Sequence, residues 1–266
     1  MTLRASNNKE MNHYSTVLTD NQWQVIEKFL DVQVRKHKYS LRSIVNAINY
    51  LLKTGCQWRM LPMDFPPYNL VYHYFSKWKN EGVLEKLFIK LHTWLCVMLE
   101  RAKCPSLGLI DSRCIKTSHH VDRCRGIDGN KKIKGRKQHL VVDTLGIPLA
   151  IVVHEANIHN SVGALQVFEN MRFKFPRLAK IIVDGGYRGK LWADTLKATL
   201  GCELEVTLRP DECPSKFQVM PKRWIVERSF AWLENFRRLA IDYEFRAETA
   251  VAMIQLAFCF LMLRKI

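Results

Sequence analysis

Lys180-Ile181-Ile182-Val183-Asp184-Gly185-Gly186 is the stretch from which the fold is read. Three β-branched residues in a row suit a strand buried on both faces, and the acid and two glycines stop it. Helical spacing covers about 161–171 before it and about 190–200 after it, and a strand-like run follows at 203–208. Further upstream, 138–144 and 149–153 are β-branched runs joined by the turn Leu145-Gly146-Ile147-Pro148, which reads as a hairpin. A short apolar run at 107–110 ends in Asp111. Residues 223–238 and 247–264 read as helices. The order is strand, strand, strand, helix, strand, helix, strand, helix, helix. It predicts an α/β region, a mixed sheet covered by helices.

The first hundred residues differ. Residues 1–16 read as a flexible tail. Thr19 with Gln22 makes a capping box ahead of Trp23, Ile26, Phe29 and Leu30. Ser40 caps a second helix whose Leu41, Ile44, Val45, Ile48, Leu51 and Leu52 share a face, and Gly55 ends it. A third helix carries Val71, Tyr72, Tyr74, Phe75 and Trp78 up to Gly82, and a fourth covers about 83–101. The expected organisation is therefore a tail (1–16), an all-helical, helix-turn-helix-like unit (17–102) and the α/β unit (103–266).

The charge suggests a partner. The 266 residues carry 41 Lys+Arg against 25 Asp+Glu, a formal +16. Such an excess points to a polyanion, either nucleic acid or an anionic membrane. The longest apolar stretch, 251–263, is interrupted by Gln255 and falls short of the ~20 residues of a membrane span. No membrane is expected. The eight cysteines form no CxxC pair, and the first residues are polar, so a reducing cytoplasm is the expected location. The excess is densest at 113–137, with nine basic residues against Asp122 and Asp128. There Arg123, Arg125, Lys131, Lys132, Lys134, Arg136 and Lys137 alternate with glycines. The expectation is a flexible arm along DNA phosphates, against the plainer reading of a solvated loop. Cys114, His119, His120 and Cys124 match no common zinc spacing, so no zinc is expected. His139 and His159 read as structural. In the helical unit, Arg35, Lys36, Lys38, Arg42 and Arg59 are candidate phosphate contacts.

Asp111 and Asp184 each end an apolar run. A lone Asp there most simply caps a turn. Two in one sheet are costly to bury unless a cation joins them. Glu227 lies four residues after Arg223 on an apolar helix that can pack on the sheet. Three carboxylates around two Mg2+ ions suit in-line phosphoryl transfer, with Arg223 and Arg228 on phosphate oxygens.

These residues carry a family resemblance. Leu18-Thr19-Asp20-Asn21-Gln22-Trp23, the segment from Gly55 to Pro62 and Val71-Tyr72-His73-Tyr74-Phe75 resemble the N-terminal region of the DDE transposases of bacterial insertion sequences, in the group named after insertion sequence five. Ile110-Asp111-Ser112, the segment from Gly135 to Leu140, Asp184-Gly185-Gly186-Tyr187-Arg188-Gly189 and the segment from Val226 to Leu233 resemble its catalytic motifs. The resemblance implies a ribonuclease-H-like catalytic domain with a mixed five-stranded sheet. It implies a triad of Asp111, Asp184 and Glu227, and Mg2+ as cofactor with Mn2+ as an alternative. It also implies DNA as substrate, both the element's terminal inverted repeats and the target, with self-association on that DNA and no small-molecule cofactor. Around the glutamate the wider superfamily has Tyr, Arg and Lys where this chain has Met220, Arg223 and Glu234, and Asn160 stands where Asp is usual. Two other readings stay open: an inactive DNA-binding relic or repressor, and a ribonuclease-H-like nuclease without strand transfer.

Overall fold

The computed structural model describes residues 14–30, 38–121, 123–184, 187, 190–207 and 222–265. Four helices come first: α1 (Asp20–Phe29), α2 (Leu41–Thr54), α3 (Tyr68–Asn80) and α4 (Val83–Met98). Thr19 and Gln22 close the expected capping box on α1. Ser40 accepts from the Ser43 amide at the start of α2, and Gly55 ends it in the left-handed region. Gly82 separates α3 from α4, also left-handed. Of the tail, residues 1–13 lie outside the described residues, as do Arg35 and Lys36.

The sheet strands are β1 (Leu107–Lys116), β2 (Gly126–Asp128), β3 (Ile133–Val142), β4 (Pro148–Glu155), β5 (Lys180–Asp184) and β6 (Glu203–Thr207). Their order is β2-β3-β1-β5-β6, with β4 also on β3. β1 and β3 are antiparallel, and β5 and β6 run parallel to β1. The expected mixed sheet is present, with β2 as a short sixth strand that the sequence reading did not contain. Helices α5 (Asn160–Met171) and α6 (Lys190–Leu200) cover one face. Helices α7 (Trp224–Glu234) and α8 (Ala247–Leu263) cover the other, together with α1–α4.

Two expectations are corrected. Asp111 does not end its strand: β1 continues five residues further and pairs with β3 as far as Lys116↔Gly135. Residues 111–114 are only half-buried, so no clean apolar alternation marks this half of the strand. The basic segment is likewise no loose loop. About half of it is the second half of β1, β2 and the first half of β3, with β2 and β3 forming a hairpin over Gly126↔Gly135 to Asp128↔Ile133.

Strand alternation sorts the core. Leu109, Leu140, Val142, Ile151, Val153 and Ile182 join the helices of the N-terminal region, α7 and α8 in one cluster. Ile110, Val141, Val152, Ile181 and Val183 face α5 and α6 in the other. The first cluster also holds Ile48, Leu52, Phe75, Leu91, Met253 and Phe258. Apolar packing is thus continuous across the 102/103 boundary. Each such buried side chain contributes about 1.5–3 kcal/mol, so the contact is substantial.

Candidate active site

Register and alternation decide where the acids go. β1 and β5 pair as Leu107↔Lys180, Gly108↔Ile181 and Leu109↔Ile182. The same offset carried two residues on sets Asp111 level with Asp184. Each acid is two residues beyond a member of the α7 side of the core, Leu109 and Ile182, so both lie on the face that α7 covers. Ile225, Val226, Phe230 and Leu233 bury the other side of α7 in that core. Glu227 is left at the helix surface with 58% of its side chain exposed.

Several contacts fix α7 there. The Ser229 hydroxyl donates to the Gly146 carbonyl at 2.8 Å, and Arg228 donates to the Leu145 carbonyl at 3.0 Å. Gly146 has φ +85°, and a Cβ on it would meet Ser229 Oγ at 2.9 Å, so the β3–β4 turn needs glycine to receive the helix. From β1, the Arg113 guanidinium lies over the Phe230 ring at 5.2 Å and donates to the Phe230 carbonyl.

Arg223 joins two of the acids. Its guanidinium is 3.4 Å from Asp184 and its Nε 3.3 Å from Glu227. The second contact is ionic without hydrogen-bond alignment. Asp111 accepts the Ser112 amide at 2.7 Å. Burial pushes its carboxyl up to about 6, and the charges of Asp184 and Glu227 add to this, while the Ser112 amide and Arg223 pull the other way. Among the described residues the three carboxylates therefore repel one another, and Arg223 lies between two of them. Such all-oxygen donors suit a hard divalent cation such as Mg2+ or Mn2+.

Behind Asp111, on the α5 side, the chain builds a dry support. The Ser112 hydroxyl donates to Asn160 at 3.1 Å, so the residue that replaces the usual Asp has its own partner. The Tyr187 hydroxyl, fully buried, lies 3.5 Å from His139. Burial pushes it upward, as does Asp111. The rings of His139 and His154 lie 4.9 Å apart and tilted, and burial together with the His154 charge lowers His139 to about 3. His139 is thus a neutral structural residue. His159 accepts from the Ser161 amide and caps α5.

Residues 102–262 match the family model described as "Transposase DDE domain", and residues 18–88 match the one described as "Putative transposase of IS4/5 family". The chain belongs to the DDE-domain transposase family. It is also similar to a "Putative transposase for insertion sequence element IS402" of Burkholderia cepacia. The two are 32% identical over 134 residues, 47% of this chain, and the match spans 61% of that relative's length. The ribonuclease-H-like expectation for the sheet agrees with this family.

Within this transposase-family chain the expected DNA contacts divide. Lys131, Lys132 and Lys134 are exposed at the β2–β3 hairpin, and Arg59 is exposed after α2. Arg136 is not part of any arm surface. It is fully buried, 2.9 Å from Asp242, and donates to the carbonyls of Arg123, Cys124, Glu244 and Phe245. Lys137 is buried too, and its ammonium donates to the Ile158 carbonyl. Both expectations are corrected to structural roles, because burying a cation requires those partners. Arg42 is held by Asp20 at 2.6 Å and by the Leu18 carbonyl, which ties α1 to α2. Arg228 is half-buried between Trp224 and Trp232. Met220 lies outside the described residues. Glu234 pairs with Arg113 at 3.7 Å. Sequence reasoning overlooked Arg113. It also overlooked the buried pair of His92 and Asp143, 3.0 Å apart, because their partners are remote in sequence. Among the described residues no helix is long and apolar enough to cross a membrane.

Proposed function

We propose that this chain is the transposase of an insertion sequence, binding the element's terminal inverted repeats, cutting there and joining the freed 3'-hydroxyl to target DNA. The observation that carries the reading is the convergence of Asp111, Asp184 and Glu227 on one face, with Arg223 bridging two of them. Those three carboxylates would hold Mg2+, with Mn2+ as substitute. Bound there, the ions supply Lewis-acid activation of a water or 3'-hydroxyl and stabilise the leaving oxygen. Arg223 is a counter-ion of Asp184 and Glu227 and would take a phosphate oxygen once they are neutralised otherwise. The exposed lysines of the β2–β3 hairpin are the proposed phosphate track, and self-association on DNA in the bacterial cytoplasm completes the reading.

The test is Mg2+-dependent cleavage and joining of DNA bearing the element's ends. The wild-type chain should do both, and Asp184→Ala should lower the rate by several orders of magnitude while still binding the DNA. Activity that survives in Asp184→Ala overturns the site. Cleavage without joining supports a nuclease, and binding without cleavage a repressor.

A further inference from the structure

His92 and Cys96 stand four residues apart on α4 and so share one face of that helix. Asp143 reaches them from the β3–β4 turn. All three side chains are buried. The His92 Nε2 lies 3.0 Å from the Asp143 carboxylate and 3.5 Å from the Cys96 Sγ. All three donor atoms lie within 4.8 Å of one another. Asp143 is held from behind, where its other oxygen accepts the Leu145 and Ile147 amides at 2.9 Å each. Those two bonds fix the carboxylate and turn its second oxygen toward His92.

An imidazolium shared with a carboxylate accounts for one of these contacts, but such a pair has no need of a thiol. Imidazole, thiolate and carboxylate together are a donor set for zinc, with bonds of about 2.0–2.3 Å. Two such bonds meeting at the tetrahedral angle put their donor atoms roughly 3.3–3.6 Å apart. The contacts from His92 to Asp143 and to Cys96 are close to that spacing. The third edge, Cys96 to Asp143, needs no more than a small turn of either side chain. Binding would release the Cys96 thiol proton and the proton between His92 and Asp143. Zn2+ with one thiolate, one carboxylate and a neutral imidazole carries no net charge, which suits a buried position. Three protein ligands leave the fourth position for water. The thiolate disfavours Mg2+, and the carboxylate disfavours Cu+. Thr144 and Leu145, half-buried beside Asp143, mark the way in.

We propose that His92, Cys96 and Asp143 bind one Zn2+ ion that clamps the helical region to the sheet. The inference is independent of how Asp111, Asp184 and Glu227 are read. Its consequence for them is mechanical. The turn that supplies Asp143 also receives Arg228 at the Leu145 carbonyl and Ser229 at the Gly146 carbonyl. These contacts seat α7, the helix that carries Glu227. A zinc ion at this joint would stiffen α4 against the turn on which α7 rests.

The experiment strips the full chain with EDTA and then adds Co2+, a coloured stand-in for zinc. Wild type should bind one Co2+ ion with the near-ultraviolet band of a cobalt–thiolate bond and the strong visible bands of a tetrahedral site, and Zn2+ should displace it. Cys96→Ser should lose the thiolate band and weaken Zn2+ binding by more than the roughly 10–100-fold that loss of a supporting residue costs. Cys114→Ser combined with Cys124→Ser should keep the band, and so should Asp184→Asn, which separates this ion from other thiols and from the three acids. Zn2+ should raise the melting midpoint of wild type by several degrees and leave that of Cys96→Ser unchanged. X-ray absorption of the zinc-loaded wild type requires no variant, and should show one sulfur at about 2.3 Å with nitrogen and oxygen at about 2.0–2.2 Å. A shell without sulfur overturns the site, as does a wild type without the thiolate band. So does a band that survives Cys96→Ser or vanishes with Cys114 and Cys124.

Discussion

Asp111 carries an unfavourable charge in the metal-free chain. Burial raises its carboxyl from the usual 3.8 to about 6. A group with a raised folded-state value contributes stability that is fully present below its unfolded value and lost as pH rises through the folded one. From about pH 4 to 6, folding therefore loses this contribution, and above pH 6 the carboxylate is a standing cost. Asp111→Asn should raise the melting midpoint of the metal-free chain by a few degrees near pH 8 and leave it unchanged near pH 3. The same variant should lose divalent-cation binding, measured by calorimetry. Wild-type cation affinity should rise with pH through about 6. A variant melting below wild type near pH 8 would show that the carboxylate is stabilised by something other than a cation. At position 163 the constraint is steric. A Cβ on Gly163 would run into the Nε2 atoms of His154 and His139, which are walled in by the sheet. Gly163→Ala should cost about 1–3 kcal/mol in urea denaturation by lifting α5 from its sheet face.

The β2–β3 hairpin holds two kinds of cation within a few residues, and they should answer mutation oppositely. Replacing Lys131, Lys132 and Lys134 by Ala should leave stability nearly unchanged. It should weaken DNA binding and flatten the slope of log affinity against log salt by up to about three. Arg136→Ala should instead destabilise the chain by about 3–5 kcal/mol, since it strands Asp242 and frees four carbonyls. A salt slope that ignores the lysines would remove the hairpin from the DNA path. This pair of outcomes also marks what the sequence can tell. Runs with strong periodicity or turn chemistry were legible: β5, α6, the β3–β4 hairpin and the caps at Thr19 and Ser40 fall where expected. Asp111 and Asp184 stand out as candidates because each closes an apolar run, whereas Glu227 is picked out only by its spacing from Arg223 on a helix. Arg136 was not legible. Its burial depends on Asp242 and Glu244, more than a hundred residues away, and a string of Lys and Arg looks the same whether one member points inward or none does. The second half of β1 was hidden for a related reason: its polar residues are half-buried by partners on β3 and α7, not by an alternating apolar pattern.

At the scale of the whole molecule, His92 joins the helical region to the sheet. Its Nε2 lies 3.0 Å from Asp143 in the β3–β4 turn, the same turn that receives Arg228 and Ser229. Burial opposes the imidazolium. Hydrogen bonds to Asp143 and Cys96 and the Asp143 charge outweigh it and raise His92 to about 9. Stability from this pair is fully present below about pH 6.5 and is lost as pH rises through 9. Denaturation curves should show wild type weakening between about pH 7 and 9, with little of that trend in His92→Gln. Because α2, α4 and α8 share one core with the strands, unfolding should be a single transition seen equally by helix and tryptophan signals. Two separated transitions would contradict the shared core. That core has a mechanical corollary. The N-terminal helices share their core with the strands that carry two of the acids, so under the proposed function DNA gripped by those helices would meet the acids at one set distance. Under the proposed function such a protein would work as a gauge: the position of its cut would be counted off from the grip, and the rigidity of apolar packing would set the count.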